Sequence, residues 1–205
     1  MPSKYLVYAA KFLSVLFAPF YFPTLTFLIL LVFSFMRMLP LDYKLFILAI
    51  VYSFTVAIPL VTIYVWQRVQ KRPQTKVGNR KARTVPYLIF IICYTTCLYV
   101  MIQMNMPHFM ISILAGASIL QVVCVIINHW IHISTHSAAA GAMVGALLAF
   151  SIIFHFDPTW WLCLALLIAG CVGTSRLILR RHGLLEVNLG LGVGLLCGFF
   201  CILFL

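Results

Sequence analysis

Glu186 is the only glutamate in the chain, and it stands four residues after His182. On a helix that spacing places both side chains on one face. A carboxylate beside an imidazole fixes its tautomer and raises its basicity, the pairing that readies a histidine for attack or proton transfer. The alternative is a loose surface pair at a helix end. The same stretch opens with Ser175-Arg176, six residues before His182. Arg176 supplies a planar guanidinium suited to two phosphate oxygens. Arg180 and Arg181 are explained as a basic cluster that sets membrane topology. That explanation does not cover the spacing of Arg176, His182 and Glu186.

A second polar stretch reads Ile133-Ser134-Thr135-His136 and leads into a helix of small residues. Ser134, Thr135 and nearby backbone N–H groups can donate to a phosphate at a helix N-terminus, where the dipole favours anions. His136 can protonate a leaving group. The bland alternative is N-capping by Ser134 or Thr135, with His136 merely interfacial. His129, His132 and His136 would share a face if the helix were continuous, and three imidazoles can bind zinc. No carboxylate helper lies near them in sequence, and no metal or other cofactor is expected. A third stretch, 67–85, holds Lys76 and, after six residues, Arg83, among several further bases. It reads either as a solvated basic loop attracted to anionic lipid or, with Arg176, as a phosphate cage.

The elements that must position these residues are membrane helices. Hydrophobic residues make up 64% of the 205 residues and charged residues only 8%, against about 25% charged in soluble domains. Apolar runs fall at about 12–35, 45–66, 86–103, 107–128, 137–155, 159–175 and 187–205, each near the length of one span. They are continuous rather than alternating, which excludes strands. The expected fold is all-α, a polytopic transmembrane helical bundle of six to seven spans forming a single domain over 1–205. Pro19 and Pro23 interrupt the first run, which is expected either to kink or to divide into an interfacial helix and a shorter membrane segment. It is read as a retained segment rather than a cleaved leader, since no small-residue cleavage site follows its apolar core. The seven cysteines lie inside apolar runs and form no spaced framework, so neither disulfides nor a metal cage is expected. If the runs from 86 onward each cross, parity alone brings 67–85, 129–136 and 175–186 to one end of the bundle. Gly141 and Gly145, then Gly190, Gly194 and Gly198, recur at helix-packing spacing.

Taken in order, the three stretches resemble the tripartite signature of the type 2 phosphatidic acid phosphatase superfamily: K-x6-R-P, then P-S-G-H, then S-R-x5-H-x3-D. Here they read Lys76-x6-Arg83-Thr84, Ile133-Ser134-Thr135-His136 and Ser175-Arg176-x5-His182-x3-Glu186. The resemblance covers about 67–205, the phosphatase-like core. The chain departs from the pattern at Thr84 and Ile133, where proline is expected, at Thr135 for glycine and at Glu186 for aspartate. The resemblance implies a metal-independent lipid phosphatase. His182 would attack phosphorus to form a phosphohistidine, and Glu186 would orient it. His136 would protonate the leaving oxygen. Lys76, Arg83 and Arg176, with Ser134 and Thr135, would hold the phosphate.

Expected partners are a lipid phosphate substrate and membrane lipids, with no nucleic acid and no obligate protein partner. Polyprenyl diphosphate or a phospholipid leads among the candidate substrates. Two alternatives stand beside the hydrolase: a lipid phosphotransferase using the same site, and a non-catalytic protein whose basic face binds anionic lipid. The expected location is the cell inner membrane. Relatives of the superfamily commonly act on the extracytoplasmic face, and the resemblance implies that side for the site here. Charge argues the reverse. If all seven runs cross, 12 of the 14 Lys and Arg residues lie at the active end and only Arg37 and Lys44 at the other, and basic residues favour the cytoplasm.

Overall fold

A long apolar segment in lipid must satisfy every backbone N–H and C=O internally, and a helix does so within one segment. The computed structural model describes residues 4–33, 35–69 and 80–204 and shows this outcome, with no strand among them. In chain order the helices are α1 (Lys4–Leu16), α2 (Tyr21–Phe33), α3 (Leu41–Tyr52), α4 (Ile58–Val69), α5 (Arg80–Gln103), α6 (His108–Ile127), α7 (Thr135–Phe154), α8 (Thr159–Ile178) and α9 (Leu184–Phe204). A short 3-10 turn, Phe35–Met38, follows α2. Helices α3 and α4 form one rod through a π-helical turn at Ser53–Ala57. The turn has a local cause: Pro59 has no N–H and crowds the carbonyl one turn back.

Among the described residues, six helical stretches are long and apolar enough to cross a membrane: Leu41–Val69, Val85–Gln103 and the whole of α6, α7, α8 and α9. The protein is thus a multi-pass helical membrane protein. The first apolar run divides. Helix α1 ends at Leu16, Pro19 lies in the break, and α2 leaves at 68° to α1. Pro23 falls in the first turn of α2, where a missing N–H has little consequence. Helix α2 then carries the chain away from the end where 129–136 and 175–186 meet. Its Phe27 and Leu31 are buried with Ile47, Met101 and Met110 at the far end, while Phe22 packs with Ala139, Ala140 and Val172 nearer the site. Pro40, Pro107 and Pro158 stand immediately before α3, α6 and α8 and start each of those helices from the far end.

The tightest packing is between α7 and α9. A methyl group on Gly194 would lie 1.9 Å from the Ala138 carbonyl oxygen, and one on Gly198 2.3 Å from that of Ala142. From the other side, Gly141 and Gly145 would meet the carbonyls of Leu191 and Leu195 at 2.2 and 2.1 Å. The two backbones therefore touch directly, an approach that small residues permit between membrane helices and that side chains would forbid. Gly192, on the same helix, faces open space.

Gly194→Ala is expected to destabilise the protein by about 1–3 kcal/mol through overpacking against backbone. Gly192→Ala should be neutral or slightly stabilising, because alanine favours the helix by up to about 1 kcal/mol. Thermal unfolding of both variants in detergent checks the contrast.

Candidate active site

The third polar stretch folds as the hinge between α8 and α9. Helix α8 closes with two reciprocal bonds, Arg180 N–H to Leu177 O at 3.0 Å and Arg181 N–H to Arg176 O at 3.2 Å. This is a Schellman close, and it puts Arg180 in the left-handed region at φ 49°. The chain thereby turns back within a few residues, and α9 starts at Leu184. Glu186 lies in its first turn and reaches back as half of a capping box, accepting from the Gly183 N–H at 3.1 Å. The same carboxylate oxygen contacts Nδ1 of His182 at 3.0 Å. One short-range cap therefore fixes the imidazole. With Nδ1–H directed at the carboxylate, Nε2 keeps its lone pair for attack.

Burial pushes the His182 pKa below the usual histidine value. The hydrogen bond to the Glu186 carboxylate pulls it back up, and the nearby Arg176 charge pushes it down. The ring is thus held neutral, as a nucleophile must be, to lower pH than in a free histidine.

The second stretch meets this hinge. The Ser134 N–H donates to the Glu186 carbonyl at 3.4 Å, tying the two stretches through backbone. Gly190 makes room for the contact, since a methyl there would lie 2.7 Å from the Ser134 carbonyl oxygen. Ser134 is fully buried and caps α7, its hydroxyl accepting from Ser137 N–H at 3.4 Å and contacting the Ser137 hydroxyl at 3.0 Å. The capping role is the one the geometry displays for it. Thr135 and His136 lie in the first turn of α7 rather than ahead of it. Thr135 lines a crevice shared with Pro19, Tyr94 and Gln121. His136 stands within electrostatic range of both Arg176 and His182.

Arg176 occupies the last turn of α8 and is half-buried. Its Nη1 donates to the hydroxyl of Ser14 on α1. Its Nε is buried with no hydrogen-bond partner among the described residues. A buried cation normally finds a carboxylate, but none is to spare. Asp42 begins α3 and Asp157 sits in the turn before α8, both at the far end, and Glu186 is engaged by His182.

The first stretch is seen only in part. Lys76 lies outside the described residues. Arg83 lies in the opening turns of α5, its side chain outside the described residues. One turn further on, Tyr87 interacts electrostatically with Arg176, so this end of α5 reaches the same end of the bundle.

Three neighbours of the site carried no signal in the sequence reading: Ser14, Tyr87 and, in its present role, His132. The His132 ring lies 6.2 Å from that of His182. The continuous helix that would have put His129, His132 and His136 on one face is not formed. Helix α6 stops at Ile127 and α7 begins at Thr135, so the three residues straddle a turn. No group of three His, Cys, Asp or Glu among the described residues is placed to hold a metal.

This geometry coincides with the comparison to known families. The family model described as PAP2 superfamily matches residues 124–205. No match is found among curated proteins or among solved structures. The matched stretch runs from the end of α6 through α9 and contains both the second and the third motif. The match over residues 124–205 supports the resemblance to the PAP2 superfamily that the second and third motifs carry. It supports a phosphatase-type enzyme acting on phosphate esters.

The acidic limb of kcat/KM is expected below pH 6.5, following the depressed His182 pKa. Glu186→Ala removes the interaction that raises that pKa, so the limb should move to still lower pH. Turnover should fall on the order of 10²-fold as the ring loses its orientation. A pH–rate series on the two proteins checks both shifts.

Proposed function

We propose that the protein is a metal-independent lipid phosphatase that cleaves a lipid phosphate or diphosphate through a phosphohistidine. The observation that carries this reading is Arg176. A half-buried guanidinium leaves one donor unpartnered beside two histidines, in a chain with no carboxylate free to meet it. A phosphoryl group is the anion that suits the donor and can react with the imidazole. The neighbouring cavities support a substrate with an aliphatic tail. Two apolar cavities of about 80 and 480 Å³ share Thr26, Met143 and Ala146 and together follow α7 from Thr135 to Phe154. Polyprenyl diphosphate and phospholipid phosphates both fit this description.

In the proposed reaction Nε2 of His182 attacks phosphorus, while Nδ1–H stays bonded to Glu186. The N–P bond forms as the P–O bond to the lipid breaks, and His136 donates its proton to the departing oxygen. Arg176, Arg83 and Lys76 hold the nonbridging oxygens. His136, now neutral, takes a proton from water. That water attacks phosphorus and releases inorganic phosphate from His182. Phosphoryl transfer needs chiefly positioning and charge stabilisation, which a cationic cage provides.

Purified protein is expected to release phosphate from lipid phosphates in detergent with EDTA present. His182→Ala should abolish turnover, by about 10³-fold or more, and His136→Ala should lower it by about 10²–10⁴-fold. An acid-labile phosphoprotein should accumulate in a rapid quench of the parent and be missing from His182→Ala. Turnover by His182→Ala at the parental rate would refute the mechanism.

For location we propose an inner membrane with the site on the extracytoplasmic face, as the resemblance implies. The opposing argument is the charge balance, because the polar stretches assigned to this end hold most of the basic residues. A cysteine introduced at position 78 should react with an impermeant maleimide in intact cells. Protection there until the cells are opened would put the site in the cytoplasm, as the basic residues argue.

A further inference from the structure

Helix α1 lies outside every motif, yet it reaches the reacting groups. Its last turn carries Ser14, whose hydroxyl accepts a hydrogen bond from Arg176 Nη1 and whose main chain faces the His136 ring. The 68° bend at Pro19 is what lets α1 depart from the direction of α2 and pack on α8. The outer side of α1 exposes Tyr5, Tyr8 and Phe12 together with Lys4 and Lys11. Aromatic and basic residues of this kind suit the headgroup level of a membrane, where lipid phosphates lie.

The chemistry of the guanidinium gives the contact a direction. Nη1 is cis to Cδ, so the Nε and Nη2 donors share the other edge. A hydroxyl that holds Nη1 leaves that edge for two oxygens of one phosphoryl group, the bidentate arrangement for which arginine is suited. The buried Nε of Arg176 has no partner among the described residues. An arginine side chain otherwise has wide rotamer freedom, and the anchor removes it before substrate arrives.

We propose that Ser14 is a positioning residue of the phosphate site. It fixes Arg176 through Nη1 so that the Nε–Nη2 edge meets phosphate, and α1 thereby contributes to the site. The proposal rests on the phosphatase reading above. It deepens that reading by assigning a site residue to the amino-terminal part of the chain, outside the matched stretch.

The test compares parent, Ser14→Ala and Ser14→Thr, each as the full chain in detergent. Two quantities are read: kcat and KM for phosphate release from a lipid phosphate, and affinity for orthovanadate by thermal-shift titration. Ser14→Ala should lower kcat/KM and vanadate affinity each by about tenfold, with an unliganded Tm close to the parent's. Ser14→Thr keeps the hydroxyl and should recover both to within about threefold. Unchanged or tighter vanadate binding by Ser14→Ala overturns the proposal, and tighter binding would mean that the hydroxyl competes with phosphate. Failure of threonine to restore binding overturns it as well. If the parent binds vanadate but hydrolyses no lipid phosphate, the phosphatase reading fails, and Ser14 is still judged by vanadate affinity. A parent that binds no vanadate overturns both.

Discussion

The direct contact of the α7 and α9 backbones sets the geometry of everything at the active end. Five glycines, Gly141, Gly145, Gly190, Gly194 and Gly198, remove the side chains that would hold these helices apart. In lipid there is no hydrophobic drive between helices, so close van der Waals packing must do much of that work. The seam ends at Ser134 and Gly190, where the backbone of the second motif bonds to the backbone at Glu186. The distance between the turn of His136 and the hinge of His182 is therefore set by main chain against main chain. It does not depend on flexible side chains.

On that rigid pair the remaining groups are arranged by local rules. A Schellman close turns the chain after Arg176, and a capping carboxylate presents His182. Arg176 comes from α8, which joins the pair through the Ala139, Ala140 and Val172 cluster. Two of the three motifs thus converge through a seam, a hinge and one packed layer. Placing the candidate groups on rigid elements in this way suits the positioning-dominated catalysis of the proposed reaction.

Much of this was legible in the sequence, and the reasons are physical. Continuous apolar runs have one solution in lipid, so the spans from 41 onward followed from length and composition. Ser175-Arg176, His182 and Glu186 were legible because polar residues at fixed spacing stand out in an apolar chain. The reach of Glu186 back to Gly183 follows from its being in the first turn of a helix. What stayed hidden lacked a local pattern. Ser14 is one serine in an apolar run, and its value arises only from a 68° bend that brings a distant helix to Arg176. The start of α7 at Thr135 depended on which of two adjacent hydroxyl residues served as the cap. His132 was noticed for a helical face that the break after Ile127 abolishes.

The scarcity of acids has a wider consequence. With Asp42 and Asp157 at the far end, Glu186 is the single carboxylate set against the basic residues around the site. Such an imbalance projects a positive potential over the adjoining leaflet, falling off over roughly 8–10 Å at physiological ionic strength. On the proposed function, anionic lipids diffusing in the bilayer plane would be drawn into that patch whether or not they are substrates. Encounter would then be a two-dimensional search biased by charge, with the surrounding lipid composition governing how often the site is visited.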